Sequence, residues 1–230
     1  MKSKMEQLES RGFVAKGIEF NHLDKSFEQQ IELLLSNQPI NRTLGARLLA
    51  GNSNLNAIDC LIAALINEKK LYTKIEICNS LVSFGKNAVL PLIDLLGKIG
   101  NNHHKEIPKT NFKKNNFPLP RDIASRTLIR IGTAAIPDLL KILDSRNISQ
   151  LSETIDTIGF ICFYEYQNNV FELLKKCFSS NESNDLIKWK IIRAMSAFPE
   201  SKTFLKQQQQ LNNKHLNLEI ERSIMLMEKP

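Results

Sequence analysis

Cysteine is scarce and poorly placed for chemistry. Only Cys60, Cys78, Cys162 and Cys177 occur in 230 residues, and none forms the close C-x-x-C pair that a zinc site or redox motif needs. Each falls inside an apolar helical pattern, which points to buried thiols in a reducing compartment. No run of 18 or more apolar residues is present, and the opening MKSKMEQLESRGF lacks the apolar core of a secretion signal. The expected location is therefore cytoplasmic, away from any membrane. Strict alternation of apolar and polar residues is missing too, which argues against strands.

Charge of one sign is not strongly dominant. Lys and Arg number 31 against 24 Asp and Glu, a net charge of +7, with a pI near 9.2. Such an excess favours weak attraction to anionic partners without specifying one. With 42% apolar and 24% charged residues, the chain has the composition of a folded domain and not of a disordered one.

What the sequence does have is repetition. Counting 3, 7, 10 and 11 positions onward from Arg121 gives Ala124, Leu128, Ile131 and Gly132; from Lys74 the same count gives Ile77, Leu81, Phe84 and Gly85. From Ile148 it gives Leu151, Ile155, Ile158 and Gly159, and from Lys188 it gives Ile191, Met195, Phe198 and Pro199. A terminal copy starts at Asn217, and an imperfect one runs from Arg42 to Gly51. These offsets place the apolar side chains on one helical stripe, with Gly expected to end the helix in a left-handed conformation. This is helix A. A helix B follows, with apolar residues at 0, 3, 4 and 7: Ile58, Leu61, Ile62, Leu65 and Ile136, Leu139, Leu140, Leu143 are two of its copies, with Pro137 marking a start.

Helices of this length are marginal alone in water and must bury their stripes against neighbours. The expected fold is all-α, a right-handed α-solenoid of stacked antiparallel helix pairs forming a single domain. An N-terminal cap is expected over 1–40, with repeats at 41–70, 71–98, 120–147 and 148–183. A degenerate repeat and C-terminal cap would follow over 184–230, where Phe204, Leu205 and Leu211 carry the apolar face. FEQQIELLL (27–35) reads as an unpaired helix B.

The segments RDIASRTLIRIGTAAIPDLLKIL and KIEICNSLVSFGKNAVLPLIDLL resemble HEAT-like repeats of the short phycobilisome-lyase type. In these a basic residue opens helix A and a Gly precedes a Pro-headed helix B. The tetratricopeptide pattern of Trp, Leu-Gly, Tyr and Ala is absent. The resemblance implies a binding scaffold; members of the wider class also attach chromophores or excise alkylated bases, so fold alone does not fix function.

From Leu96 to the next helix A opener, Arg121, is 25 residues, against 9 from Leu65 to Lys74. The extra segment is a loop over 99–119, whose stretch 101–120 is Pro-bearing, Asn-rich and basic. It is read as a lip for a partner, with Lys105, Lys109, Lys113 and Lys114 as its charges and Phe112 and Phe117 as anchors. On the helix B face, the columns not occupied by apolar residues include Asp94, Asp138 and Glu172 with Lys98, Lys141 and Lys175. Their mixed signs suit a protein-binding groove better than a phosphate track. His103 and His104 are adjacent and point apart, and no neighbouring Cys or Asp completes a metal set, so no metal or cofactor is expected. No carboxylate is paired with a base or nucleophile at functional spacing, so no catalytic residue is nominated. The leading expectation is a non-catalytic scaffold for a protein. The alternative is nucleic-acid binding through Lys98, the loop lysines and Arg121, with Trp189 of KWKIIR as an aromatic contact; a further one is a lyase-type protein that handles a cofactor.

Overall fold

The structure is a computed structural model that describes residues 4–50, 52–110, 112, 114–209 and 213–228. Among the described residues it is all-α, with no strand and no helix long and apolar enough to cross a membrane. The chain divides into two compact units, residues 1–92 and 93–230.

The first unit contains α1 (Met5–Glu9), α2 (Phe27–Leu34), α3 (Pro39–Leu49), α4 (Asn56–Asn67) and α5 (Leu71–Ser83); α6 (Val89–Ile93) follows at its end. Ser26 caps α2 through a reciprocal pair of hydrogen bonds with Gln29, and Pro39 heads α3 where a missing N–H costs nothing. Helix α2 packs against α3, and α3 against α5. Helix α2, the stretch read as an unpaired helix B, packs on α3, the helix A of the repeat that follows it.

The second unit contains α7 (Ile123–Ile131), α8 (Ile136–Lys141), α9 (Ile148–Tyr164), α10 (Val170–Ser180), α11 (Asp185–Met195), α12 (Lys202–Gln207) and α13 (Lys214–Met227). Side chains of Asp122, Asn147, Asn184 and Asn213 cap α7, α9, α11 and α13, each accepting from a first-turn N–H. These four are the A helices, and they form a row in which α7 packs on α9, α9 on α11 and α11 on α13. The B helices α10 and α12 pack against α11 and α13.

The apolar columns read from sequence are the core. Ile77, Leu81, Leu128, Ile155, Ile158, Ile191 and Met195 are fully buried on the A helices, as are Leu61, Leu65, Leu92, Leu139 and Leu174 on the B helices. Each such burial contributes roughly 1.5–3 kcal/mol, which is what holds helices too short to stand alone. Small hydroxyl side chains let successive A helices approach and tie them together: Ser125 Oγ lies 2.6 Å from Thr157 Oγ1, and Ser223 Oγ donates to Ile192 O at 3.0 Å.

Gly132 ends α7 at φ 81°, in the left-handed region that its position predicts. Gly159 does something else. It sits inside α9, which runs on to Tyr164, so the expectation that it closes helix A is corrected. Its missing side chain serves packing: a Cβ there would lie 2.6 Å from the Phe117 ring and 2.8 Å from Ala194 Cβ. Gly51, read as the end of the first helix A, lies outside the described residues, as do Lys113 and Leu211.

Candidate functional site

In both units an irregular segment lies across the A helices, held by an arginine that stands five positions after a helix A opener. In the first unit Arg47 donates to Val14 O at 3.1 Å and Ala15 O at 2.9 Å and pairs with Glu19 and Glu76, while Thr43 Oγ1 donates to Gly12 O. In the second unit Arg222 donates to Lys114 O at 3.2 Å and Asn116 O at 2.8 Å, and its guanidinium lies 5.0 Å from the Phe112 ring centroid.

The segment fixed by Arg222 is the inserted loop. Its base is closed by Asp122, whose Oδ2 accepts from Gly97 N at 2.9 Å while Oδ1 caps α7. Its exit is tied by Arg126 Nε, which donates to Pro120 O at 2.6 Å. Phe117 is only 2% exposed and packs against Phe160 and Phe163 of α9. It is a plug and not an exposed anchor, because burying an aromatic ring is worth more than leaving it for a partner. His104 stands edge-on to Trp189, ring centroids 5.3 Å apart. Burial drives the His104 pKa down to about 4, helped by the charges of Lys190, Arg121 and Arg193 and opposed by Asp156, so its ring is neutral at pH 7.

Beneath the loop lies a layer of buried charge. Each of three successive A helices contributes two ionic side chains three residues apart, on the same face: Glu153 and Asp156, Lys190 and Arg193, Glu219 and Arg222. Lys190 is wholly buried, and its ammonium meets Asp156 Oδ2 at 2.8 Å, Glu153 Oε1 at 2.9 Å and Ser152 O at 3.2 Å. Those acceptors match the three N–H bonds of an ammonium, which makes a buried lysine tolerable. Arg193 stacks over the Trp189 ring at 3.6 Å and reaches Glu219 at 3.5 Å, which Arg222 also contacts at 2.9 Å. Burial pushes the Glu153 carboxyl up, and Asp156 and Asp122 add to this against the pull of Lys190.

Two cavities flank the layer. One of about 290 Å³ is lined by His104, Phe112, Arg121, Asp156, Trp189 and Arg193. The other, about 540 Å³, is lined among others by Lys98, His103, Lys105, Ser152 and Glu153. His103 has company that the sequence did not disclose: its Nδ1 lies 3.6 Å from Asp122 Oδ2 and 3.8 Å from Glu153 Oε1. The expectation that no carboxylate stands near this histidine is therefore corrected, since the fold brings one from the cap of α7 and one from α9.

The exposed cations Lys98, Lys105, Lys109, Lys114 and Arg121 form no ion pair with any described residue. The helix B residues behave differently. Asp138 pairs with Lys141 at 2.6 Å and Glu172 with Lys175 at 3.8 Å, within one turn of their own helices, while Asp94 is exposed. The buried layer lies on the A helices, outside the polar columns of helix B. Counting from the helix A openers, offsets 2 and 5 give Lys190 with Arg193 and Glu219 with Arg222, a signal for two of the three pairs; from Ile148 the same count gives Gln150 and Glu153 and misses Asp156.

Burial also raises the thiols of Cys162 to about 12 and Cys177 to about 11, so neither is a thiolate at neutral pH.

No protein-family model and no curated protein matches the chain. Among solved structures it is similar to an engineered protein at 13% identity and a TM-score of 0.39, covering 89% of this chain and 97% of the other. A second engineered protein matches at 14% identity and a TM-score of 0.38, where this chain spans 62% of the other's length. A designed armadillo repeat protein matches at 12% identity and a TM-score of 0.34 over 88% of this chain. The architecture rests on the helix packing described above.

Proposed function

We propose that the chain is a non-catalytic scaffold of HEAT-like repeats of the phycobilisome-lyase type, and that it binds an acidic segment of a protein partner at the inserted loop. The repeat type is supported by the opener-to-glycine pattern of Lys74 to Gly85 and Arg121 to Gly132, with Pro137 heading the following helix B. One observation carries the binding reading: exposed cations with no carboxylate partner among the described residues stand on a loop that is anchored from below by Arg222, Phe117 and Asp122. A surface fixed before binding spares the partner the cost of ordering it. Asp138, Lys141, Glu172 and Lys175 on the helix B face pair within their own helices, and exposed pairs of that kind contribute little.

The test is affinity capture from native extract by the full chain, beside a Lys105→Glu, Lys109→Glu, Lys114→Glu variant, with half of each sample treated with nuclease. A protein retained through nuclease treatment and lost by the variant at least about tenfold, roughly 1.4 kcal/mol, is the expected result. Nucleic acid recovered instead, with affinity falling steeply as salt rises, would replace this reading with the nucleic-acid one. Capture unaffected by charge reversal sinks both.

A further inference from the structure

We propose that His103, Asp122 and Glu153 form a binding site for one divalent transition-metal ion, with zinc as its probe. This stands apart from the partner-binding reading and needs none of the exposed lysines.

The donors converge. His103 Nδ1, an Asp122 oxygen and a Glu153 oxygen all lie within 4.8 Å of one another. A tetrahedral zinc with bonds of about 2.0–2.1 Å sets its ligand atoms roughly 3.3 Å apart, so the 3.6 Å and 3.8 Å spacings from Nδ1 need contract by about 0.3–0.5 Å, and the two carboxylate oxygens, within 4.8 Å of each other, by at most about 1.5 Å. One imidazole with two carboxylates is a donor set suited to first-row divalent ions.

Each donor is also aimed by a second group. His103 Nε2 lies 3.1 Å from Ile99 O. A carbonyl only accepts, so Nε2 carries a proton, which leaves Nδ1 as the ring nitrogen that faces the two carboxylates. Asp122 is held by the N–H groups of Gly97 and Ser125, and Glu153 by the Lys190 ammonium. Outer partners of this kind accompany metal ligands, because they fix the tautomer and the carboxylate plane.

Two buried atoms at the site have no hydrogen-bond partner. One is His103 Nδ1 itself; the other is the hydroxyl of Ser152, a residue 3% exposed that lines the same cavity of about 540 Å³. Two carboxylate oxygens around Nδ1 favour a positive charge there, which a ring proton or a metal ion can provide; at 3.6 Å and 3.8 Å both contacts are longer than a hydrogen bond, so a proton on Nδ1 has no close acceptor. A metal ion supplies that charge and satisfies Nδ1, and the cavity that Ser152 also lines leaves room for a water to complete the coordination. Without a cation, buried polar atoms left unpaired are costly.

The experiment is isothermal titration calorimetry of zinc chloride into the full chain after stripping with chelator. The expected result is one equivalent bound in the micromolar range or tighter. His103→Ala and Asp122→Asn should weaken binding by about 100-fold or abolish it. Asn caps helices as well as Asp, so the second variant keeps α7, and circular dichroism confirms the fold of both. His104→Ala and Cys60→Ser should bind as the parent does. No zinc uptake by the parent overturns the proposal, as does equal binding by His103→Ala, or a loss confined to Cys60→Ser.

Discussion

The Phe117 ring and Gly159 are made for each other: a methyl group added at Gly159 would come within 2.6 Å of the ring's far carbon. The same methyl would meet Ala194 Cβ at 2.8 Å and its Cα at 2.9 Å, wedging α9 away from α11. Gly159→Ala gains about 1 kcal/mol of helix propensity but incurs overpacking worth about 1–3 kcal/mol. With two rigid neighbours to displace, overpacking dominates, and urea denaturation should show a net loss of up to about 2 kcal/mol. A more stable variant would refute the close-approach role.

Phe117 and Phe112 should separate cleanly. Phe117→Ala empties a buried site among Phe160 and Phe163 and should cost about 3–5 kcal/mol. Phe112 is half-buried beside Arg222, so Phe112→Ala should cost less than about 1.5 kcal/mol. Equal losses in thermal or urea denaturation would contradict the assignment of Phe117 as the plug.

Lys190→Met leaves Glu153 and Asp156 facing each other in a buried space without their ammonium. Removing one partner of such a network should cost about 3–5 kcal/mol. Adding Glu153→Gln should restore part of that loss, measured as a positive coupling in a double-mutant cycle. The sign of the Glu153 effect with pH follows from its raised pKa. Its folded form holds a proton that its unfolded form has released, so its contribution is present below the unfolded pKa and lost as pH rises toward the folded one. Stability of the parent minus that of Glu153→Gln should therefore fall with rising pH above about 4.3.

His104 offers a direct optical check, because Trp189 is the one tryptophan in the chain. The two rings are in edge contact, and a protonated imidazole quenches indole emission. Quenching should appear with a midpoint about 4, well below the ordinary histidine range. A folded-state pKa depressed below the unfolded one means that this group's stabilisation is complete above about 6.5 and lost as pH falls toward 4. A fluorescence midpoint near 6.5, absent in His104→Phe, would show that the ring is not buried as described.

In Arg42 and Glu68 the first unit holds an ion pair that the repeat pattern half discloses. Arg42 opens a helix A, yet its carboxylate partner lies beyond α4, bonded at 2.8 Å and 3.0 Å. Burial pushes the Glu68 carboxyl up, but Arg42 and the N–H groups of Lys70 and Lys69 outweigh it and leave the pKa lowered. Stability from this group is present above its unfolded pKa and lost as pH falls through the folded one. Glu68→Gln should cost about 1–3 kcal/mol at pH 7 and nothing at strongly acidic pH, read from urea denaturation at both.

The helices and their core were legible in the residues because each stripe is a local matter. Leu128, Ile155 and Ile191 recur at helical spacing whatever lies beside them, and burying them is the dominant drive. The caps Asp122, Asn147 and Asn184 act within three residues of themselves and are equally local. The candidate site was not legible in the same way. His103, Asp122 and Glu153 stand 19 and 31 positions apart in sequence, and no periodicity links a loop histidine to a helix cap and a helix face. Only the side-by-side order of the A helices, and the path the loop takes over them, brings the three together. Gly159 shows the same divide: its place in the repeat matched a helix end, whereas its neighbours Phe117 and Ala194 made it a point of close approach. Periodicity in the sequence determined which faces are buried. The tertiary structure decided what each buried polar group meets, because that depends on contacts between segments that the local pattern does not connect.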